Sequence, residues 1–471
     1  MLRRRVGELA VGFAVAAIVG TAWTGGQAWA DTLESALVQA YQNNPTLNSQ
    51  RAGVRATDEN VPVALSGYRP RVTVNAFGGE QITSAITRSL PSGLPPSYFT
   101  QNGNNATYGV GATITQTIFN GFQTANRTRQ AEAQVLSARE TLRVAEQTVL
   151  LNAVTAYMNL LRDTAILDLQ RRNVEVLQEQ LRQTRDRFNV GEVTRTDVAQ
   201  SESSLAAGRS QVLLAQSNVA TDAAIYRQVI GTVPGKLAAG TPVDRFSPQN
   251  LNAAVGLATA THPSVTSAQY NVDIAQQAVK VAEGALYPTL SVQGNYQKSL
   301  GTSLTTLDTS TASVLGQLTV PIYQGGAEYA LVRQAKETLG QNRLNFDVAR
   351  DQVRQFVAQS WGQLDAAKAN IDATTAQVQA SEIALNGVRE EARVGQRTTF
   401  DVLTAQQTLV NARVSLVSAQ RDRVVASYTL LSAVGRLMPP VLGLHVPIYS
   451  SMVHYQQVRD SWAGVRTPDG R

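Results

Sequence analysis

Side chains that could make or break covalent bonds are scarce in this chain. It contains no cysteine, which excludes disulfides, thiolate metal sites, a thiol nucleophile and a lipid-modified N-terminal cysteine. Its three histidines, His262, His445 and His454, lie far apart without ligand spacing, so metal catalysis has little to stand on. No nucleophile–base pair, phosphate loop or ligand cluster presents itself, and no cofactor is implied. What remains is ionic and conformational chemistry at a pattern that occurs twice. Val190-Gly191 is followed by Thr194 and Asp197, and Val394-Gly395 by Arg397, Thr398 and Asp401. The glycines suit tight turns, Thr194 and Thr398 read as N-caps, and aspartate is favoured at helix N-termini in any case. The net charge of +6 falls to about +4 without the first 30 residues, and its lysines and arginines are scattered. Nucleic-acid binding gets no support.

The elements that position these tips are themselves duplicated. Pro45 and Pro70 recur 218 residues later as Pro263 and Pro288, whereas Ile118-Phe119-Asn120-Gly121 recurs 204 residues later as Ile322-Tyr323-Gln324-Gly325. The 204-residue spacing then holds through Val190, Thr194, Asp197 and Gly231 to Val394, Thr398, Asp401 and Gly435. A duplication tolerates a length change at a surface loop, so the lost residues mark a loop tip between Pro70 and Ile118.

Residues 1–30 read as an export signal, with Arg3-Arg4-Arg5 as the charged head and Ala28-Trp29-Ala30 as the cleavage site. The first repeat then spans 31–231, an equatorial linker 232–250, the second repeat 251–438 and a flexible tail 439–471. No proline or glycine occurs from Phe122 to Val190, and no proline from Ile322 to Met438. Such runs predict helices over 121–189 and 326–393, each roughly 100 Å long at 1.5 Å per residue. Apolar residues at seven-residue spacing, Val135, Leu142, Val149 and Ala156 and then Leu160, Leu167, Val174 and Leu181, give a seam for partner helices. Shorter antiparallel partners are expected over 194–230 and 398–437. Each covers only part of its long helix, so 45–66 and 263–285 must stack end to end with them, preceded by 33–43 and 251–261. Asn44 and His262 stand just ahead of first-turn prolines.

Between the helical blocks the period falls to two. Strands are expected over 69–82, 106–119, 287–299 and 310–322, paired as two hairpins. One face is apolar and the other is Thr, Ser, Gln, Asn and Gly with almost no charge, which suits a water-filled barrel set in lipid. Four strands cannot close alone, and two, three or four copies would supply 8, 12 or 16. A periplasmic coiled-coil adaptor also has long helical hairpins, but the duplicated strand pairs argue against it.

The tips Arg187-Phe188-Asn189-Val190-Gly191 and Ala392-Arg393-Val394-Gly395-Gln396-Arg397-Thr398, with the Ile-Phe-Asn-Gly and Ile-Tyr-Gln-Gly junctions and the Tyr-Arg-Pro and Tyr-Pro strand starts, resemble the TolC family of outer-membrane channels. The similarity runs from Asp31 to about Met438. It implies a mainly α fold with transmembrane β: a TolC-like α-barrel of coiled-coil helices beneath a 12-stranded barrel to which each chain of a homotrimer gives four strands. It further implies a cell outer membrane setting with a large periplasmic portion, and docking of a periplasmic adaptor and an inner-membrane transporter. The role implied is the exit duct of type I protein secretion or multidrug efflux, with no enzymatic activity. By the same resemblance Arg397, Asp401 and Asp197 form the periplasmic gate, with Asp401 in an anionic ring. Val190, Gly191, Thr194, Val394, Gly395 and Thr398 would meet the adaptor. Ala392 stands where part of the family has a latching tyrosine and Thr404 where it has a second acidic ring, which implies one carboxylate ring rather than two.

Overall fold

A computed structural model describes residues 31–470 apart from 91, 304 and 305; the expected export signal lies outside the described residues. The first repeat comprises α1 (Leu33–Asn43), α2 (Pro45–Asp58), α3 (Asn60–Leu65), β1 (Arg71–Ser89), β2 (Ser97–Asn120), α4 (Gln123–Asn189) and α5 (Arg195–Ile230). The second comprises α6 (Leu251–Thr261), α7 (Pro263–Gly284), β3 (Thr289–Leu300), β4 (Asp308–Thr319), α8 (Ala327–Arg393) and α9 (Thr399–Ala433), followed by α10 (Pro439–Leu442) and α11 (Ser451–Val458).

Helices α4 and α8 are 67 residues each, which at 1.5 Å per residue makes rods of about 100 Å. Val135, Leu142, Val149 and Ala156 are buried along α4, as are Leu160, Leu167 and Leu181. Both α5 and α2 pack on α4, one beyond the other, and α9 and α7 share α8 in the same way. The joints between stacked helices are closed by polar side chains. Asn44 Oδ1 accepts from the Thr46 and Leu47 amides at the start of α2, and Asn44 Nδ2 donates 2.8 Å to the Val229 carbonyl in the last turn of α5. His262 caps α7 equivalently, its Nδ1 accepting from the Ser264 amide at 3.1 Å, and the ring donates to the Ser432 carbonyl at the end of α9. Gly231 and Gly435, both at positive φ, end α5 and α9 beside these caps.

The helix expected over 45–66 is two helices, broken at Glu59. Pro62 has no amide to offer and its ring would collide with the Asp58 carbonyl, so α2 stops there and α3 restarts. The tail expected to be flexible is partly ordered. Helix α11 packs against α2, burying Val458 and His454. The reason is a long-range pair that no local pattern announces, His454 Nδ1 at 3.0 Å from the buried Asp58 Oδ2. At mid-height the principal core gathers Leu37, Tyr41, Leu150, Tyr157, Tyr226 and Leu431, joining α1, α4, α5 and α9. The linker is tied in there by a bridge between Asp31 and Leu237.

The four strands form one antiparallel sheet in the order β1-β2-β3-β4. Strands β1 and β2, 19 and 24 residues long, extend well into the segment expected as a loop. Ile82, Thr83, Ile86 and Thr87 are β-branched and pair with 104, 103, 100 and 99, a preference that the surrounding Ser, Asn and Gly masked. Register aligns the apolar side chains, because directly opposed residues share a face. Val72 faces Ile114, which faces Gly294 and then Val314; Val74 faces Ala112, then Tyr296 and Ala312. The opposite face runs Thr73, Thr113, Asn295 and Ser313, with Thr113 Oγ1 donating 3.0 Å to Asn295 Oδ1. No described helix is long and apolar enough to cross a membrane.

Candidate functional site

Each long helix ends at its tip in the same turn. Gly191 and Gly395 adopt φ of +82° and +80°, and the following amide reaches back five residues: Glu192 to the Arg187 carbonyl and Gln396 to the Glu391 carbonyl, both at 2.9 Å. This left-handed closure satisfies carbonyls that a helix end leaves free, and at each tip a single glycine supplies the positive φ that turns the chain. The next helices open with capping boxes. Asp197 Oδ2 accepts from both the amide and the hydroxyl of Thr194, at 2.9 and 2.7 Å, and Thr194 Oγ1 accepts from the Asp197 amide. Asp401 and Thr398 repeat the arrangement, with both Asp401 bonds at 2.9 Å. The donated hydrogen bonds hold both carboxyls below the usual range, chiefly the Thr194 hydroxyl for Asp197 and the Thr398 amide for Asp401.

Arg397 Nε donates 2.8 Å to Glu391 Oε2, and that bond, followed by the Asp401 charge, raises its already high pKa. Among the described residues, Arg397 and Asp197 form no ion pair within one chain. The first tip has the same lashing with charges exchanged: Arg187 Nε to Glu192 Oε2 at 3.0 Å. Position 187 corresponds to 391 across the duplication, so each helix end is tied to its turn by one Arg–Glu pair of opposite polarity. These pairs are exposed and salt-screened, and are worth little to stability. Val190 and Val394 stand at the extreme tips, 72% and 71% exposed. Thr194, Thr398 and Thr404 are also exposed, and Ala392 is half-buried.

A connection above the tips was not anticipated from sequence. Arg389 on α8 donates 3.1 Å to Gln406 Oε1 on α9, and Gln406 Nε2 donates 3.2 Å to Asn173 Oδ1 on α4. Gln406 and Asn173 are buried, and just below them Leu177, Leu181, Leu205 and Leu403 make a small apolar cluster shared by both hairpins. The duplication contains the signal. Arg185 and Glu202, 204 residues earlier, form the equivalent rung at 2.6 Å. In the second repeat glutamine replaces glutamate, and its amide accepts from Arg389 while donating to Asn173, which an ionised carboxylate could not do.

Long helical hairpins beneath a sheet with an apolar and a polar face are the architecture of an outer-membrane channel protein. The sequence model of outer membrane efflux proteins matches residues 36–232 and 254–436, and the chain belongs to that family. It is similar to the outer membrane efflux protein BepC of Brucella suis biovar 1 (strain 1330), at 43% identity over 455 residues and 96% of each chain. It is also similar to the outer membrane protein TolC of Escherichia coli (strain K12), at 27% identity over 433 residues, 87% of this chain and 83% of TolC. Among solved structures, the CmeC outer membrane channel of Campylobacter jejuni superposes with a TM-score of 0.76 at 17% identity, over 96% of this chain and 98% of that one. The fold is therefore a TolC-like α-barrel joined to a β-barrel, and the protein is an outer-membrane exit duct for efflux or secretion.

Proposed function

We propose that three copies of this chain close into one channel-tunnel that carries cargo from an inner-membrane transporter, through a periplasmic adaptor, across the outer membrane. The observation that carries the reading is the open four-stranded sheet, whose register over residues 72–76, 110–114, 290–296 and 312–314 puts Val, Ile, Ala, Leu, Tyr and Gly on one face and Thr, Asn, Gln, Ser and Gly on the other. In lipid every backbone polar group needs a partner, and β1 and β4 each leave an edge unpaired. Three chains supply twelve strands, within the range of closed outer-membrane barrels. Twelve residues of β3, about 40 Å along the strand, rise about 29 Å at a tilt of ~45°, enough for an apolar band of ~25 Å. Exposed Leu213 and Leu214 on α5, and Leu331, Leu344 and Ile383 on α8, are the helical surfaces that neighbouring copies would cover.

The gate is electrostatic in this reading. Arg397 exchanges its partner Glu391 for Asp197 of an adjacent coil when the tunnel closes, and the Asp401 carboxylates face one another near the axis, where field focusing attracts cations. Val190, Gly191, Thr194, Val394, Gly395 and Thr398 present the tips to the adaptor. Single-channel recording in planar bilayers tests the gate. Arg397→Ala is expected to raise the resting conductance; a resting conductance equal to wild type removes Arg397 from the gate.

A further inference from the structure

The C-terminal segment beyond the second repeat follows one direction along the molecule. The Tyr449 amide donates 3.3 Å to the Tyr41 hydroxyl, near mid-height. Farther along, the guanidinium of Arg139 lies 5.0 Å from the Tyr455 ring, and Arg459 pairs with Glu132 at 3.5 Å. Finally Arg69 donates 2.5 Å to the Ser461 carbonyl, and its guanidinium stacks 4.7 Å from the Trp462 ring. Positions 139 and 132 approach the start of α4 at Gln123, and Arg69 stands two residues before β1. The segment is thus a strap that climbs α4 and ends at the foot of the sheet. The buried Asp58–His454 pair fastens it midway.

What the strap delivers there is apolar and uncovered. Trp462 is 72% exposed and Val465 fully so, although the chain before them is anchored. Every strand foot carries another exposed aromatic: Tyr68 before β1, Phe122 after β2, Tyr287 before β3 and Tyr323 after β4. Aromatic rings with an apolar body and a polar edge collect at the headgroup level of a membrane. Arg69 and Arg71 supply guanidinium groups at the same height, suited to phosphate. The nearby Asp460 and Asp469 offset Arg459 and Arg466, so the indole rather than net charge sets the depth.

Resting on the reading that the sheet spans the outer membrane, we propose that Trp462 and Val465 form a second membrane contact, an interfacial anchor seated in the phospholipid headgroups of the periplasmic leaflet. The strap then couples membrane position to the packing of the C-terminal end of α2 on α4 through Asp58 and Arg139.

The absence of cysteine makes the test clean, since one introduced thiol takes one spin label. Val465→Cys, Val314→Cys on the apolar sheet face and Glu192→Cys at the remote tip are labelled in the full-length protein. Each is reconstituted in phosphatidylethanolamine–phosphatidylglycerol vesicles and read by electron paramagnetic resonance for collision with lipid-soluble oxygen against an aqueous nickel chelate. The oxygen-to-nickel ratio at 465 is expected several-fold above that at 192, and Trp462→Ala in the same chain is expected to lower it without changing 314. A ratio at 465 equal to that at 192, with 314 in lipid, overturns the anchor and leaves the barrel standing. Water-like ratios at both 465 and 314 overturn both.

Discussion

Replacing His262 by asparagine separates its two duties, capping α7 and titrating. The ring is 8% exposed, and burial lowers its pKa below the ordinary histidine value. An unprotonated Nδ1 is needed to accept from the Ser264 amide, so protonation removes the cap as well as burying a charge. As pH falls through about 6.5, the unfolded chain takes up the proton first and the folded chain resists. Stability contributed by His262 is therefore present above that pH and lost below it. The limiting slope is about 1.4 kcal/mol per pH unit per chain, continuing until the folded-state pKa is reached. Asparagine cannot titrate, and Asn44 already performs the same capping at the matching joint of the first repeat. His262→Asn is expected to change stability at pH 7.5 by no more than about 1 kcal/mol, the usual worth of an N-cap. Between pH 6.5 and 5.5 wild type should lose stability relative to the variant. Guanidinium unfolding of detergent-solubilised protein, followed by circular dichroism at several pH values, reads the difference. Parallel pH curves for the two proteins would refute the reasoning.

Other expectations concern the gate and the turns. Asp401→Asn should weaken block of the channel by divalent or trivalent cations in bilayers, and equal block would place the carboxylate ring elsewhere. Gln406→Leu breaks the link from Arg389 to Asn173 and leaves both without that partner. It should raise the open fraction of single channels and destabilise by about 1–3 kcal/mol; unchanged gating with that loss of stability would make the link structural only. Gly435→Ala should cost more than Gly231→Ala in thermal unfolding. Both require a left-handed residue, at about 1–2 kcal/mol, but only the former puts a Cβ at 3.0–3.1 Å from His262 and Pro263. Equal losses would mean that the joint relaxes freely.

The long proline-free helices and the strand alternation were legible because they are periodic and local. The stacked-helix rod followed from lengths alone, and the structure has it at Asn44 and His262. Pro62 was visible in the sequence, yet its effect depends on where the helix starts, which sequence gives poorly. The tail was unreadable since Asp58 and His454 lie 396 residues apart with no repeating pattern between them. At the tips, the turn glycines and capping threonines were legible as backbone requirements. The partner of Arg397 was not, because Glu391 lies across the turn and its counterpart at 187 has the opposite charge. The Gln406 link was recoverable in principle from the Arg185–Glu202 rung, since the duplication preserves the geometry while changing glutamate to glutamine.

Native mass spectrometry of the protein released from detergent micelles tests the central claim most directly. The account requires a single dominant species of three chains, each contributing four strands to one closed barrel. A stable monomer, or a dimer or tetramer as the dominant species, would contradict it.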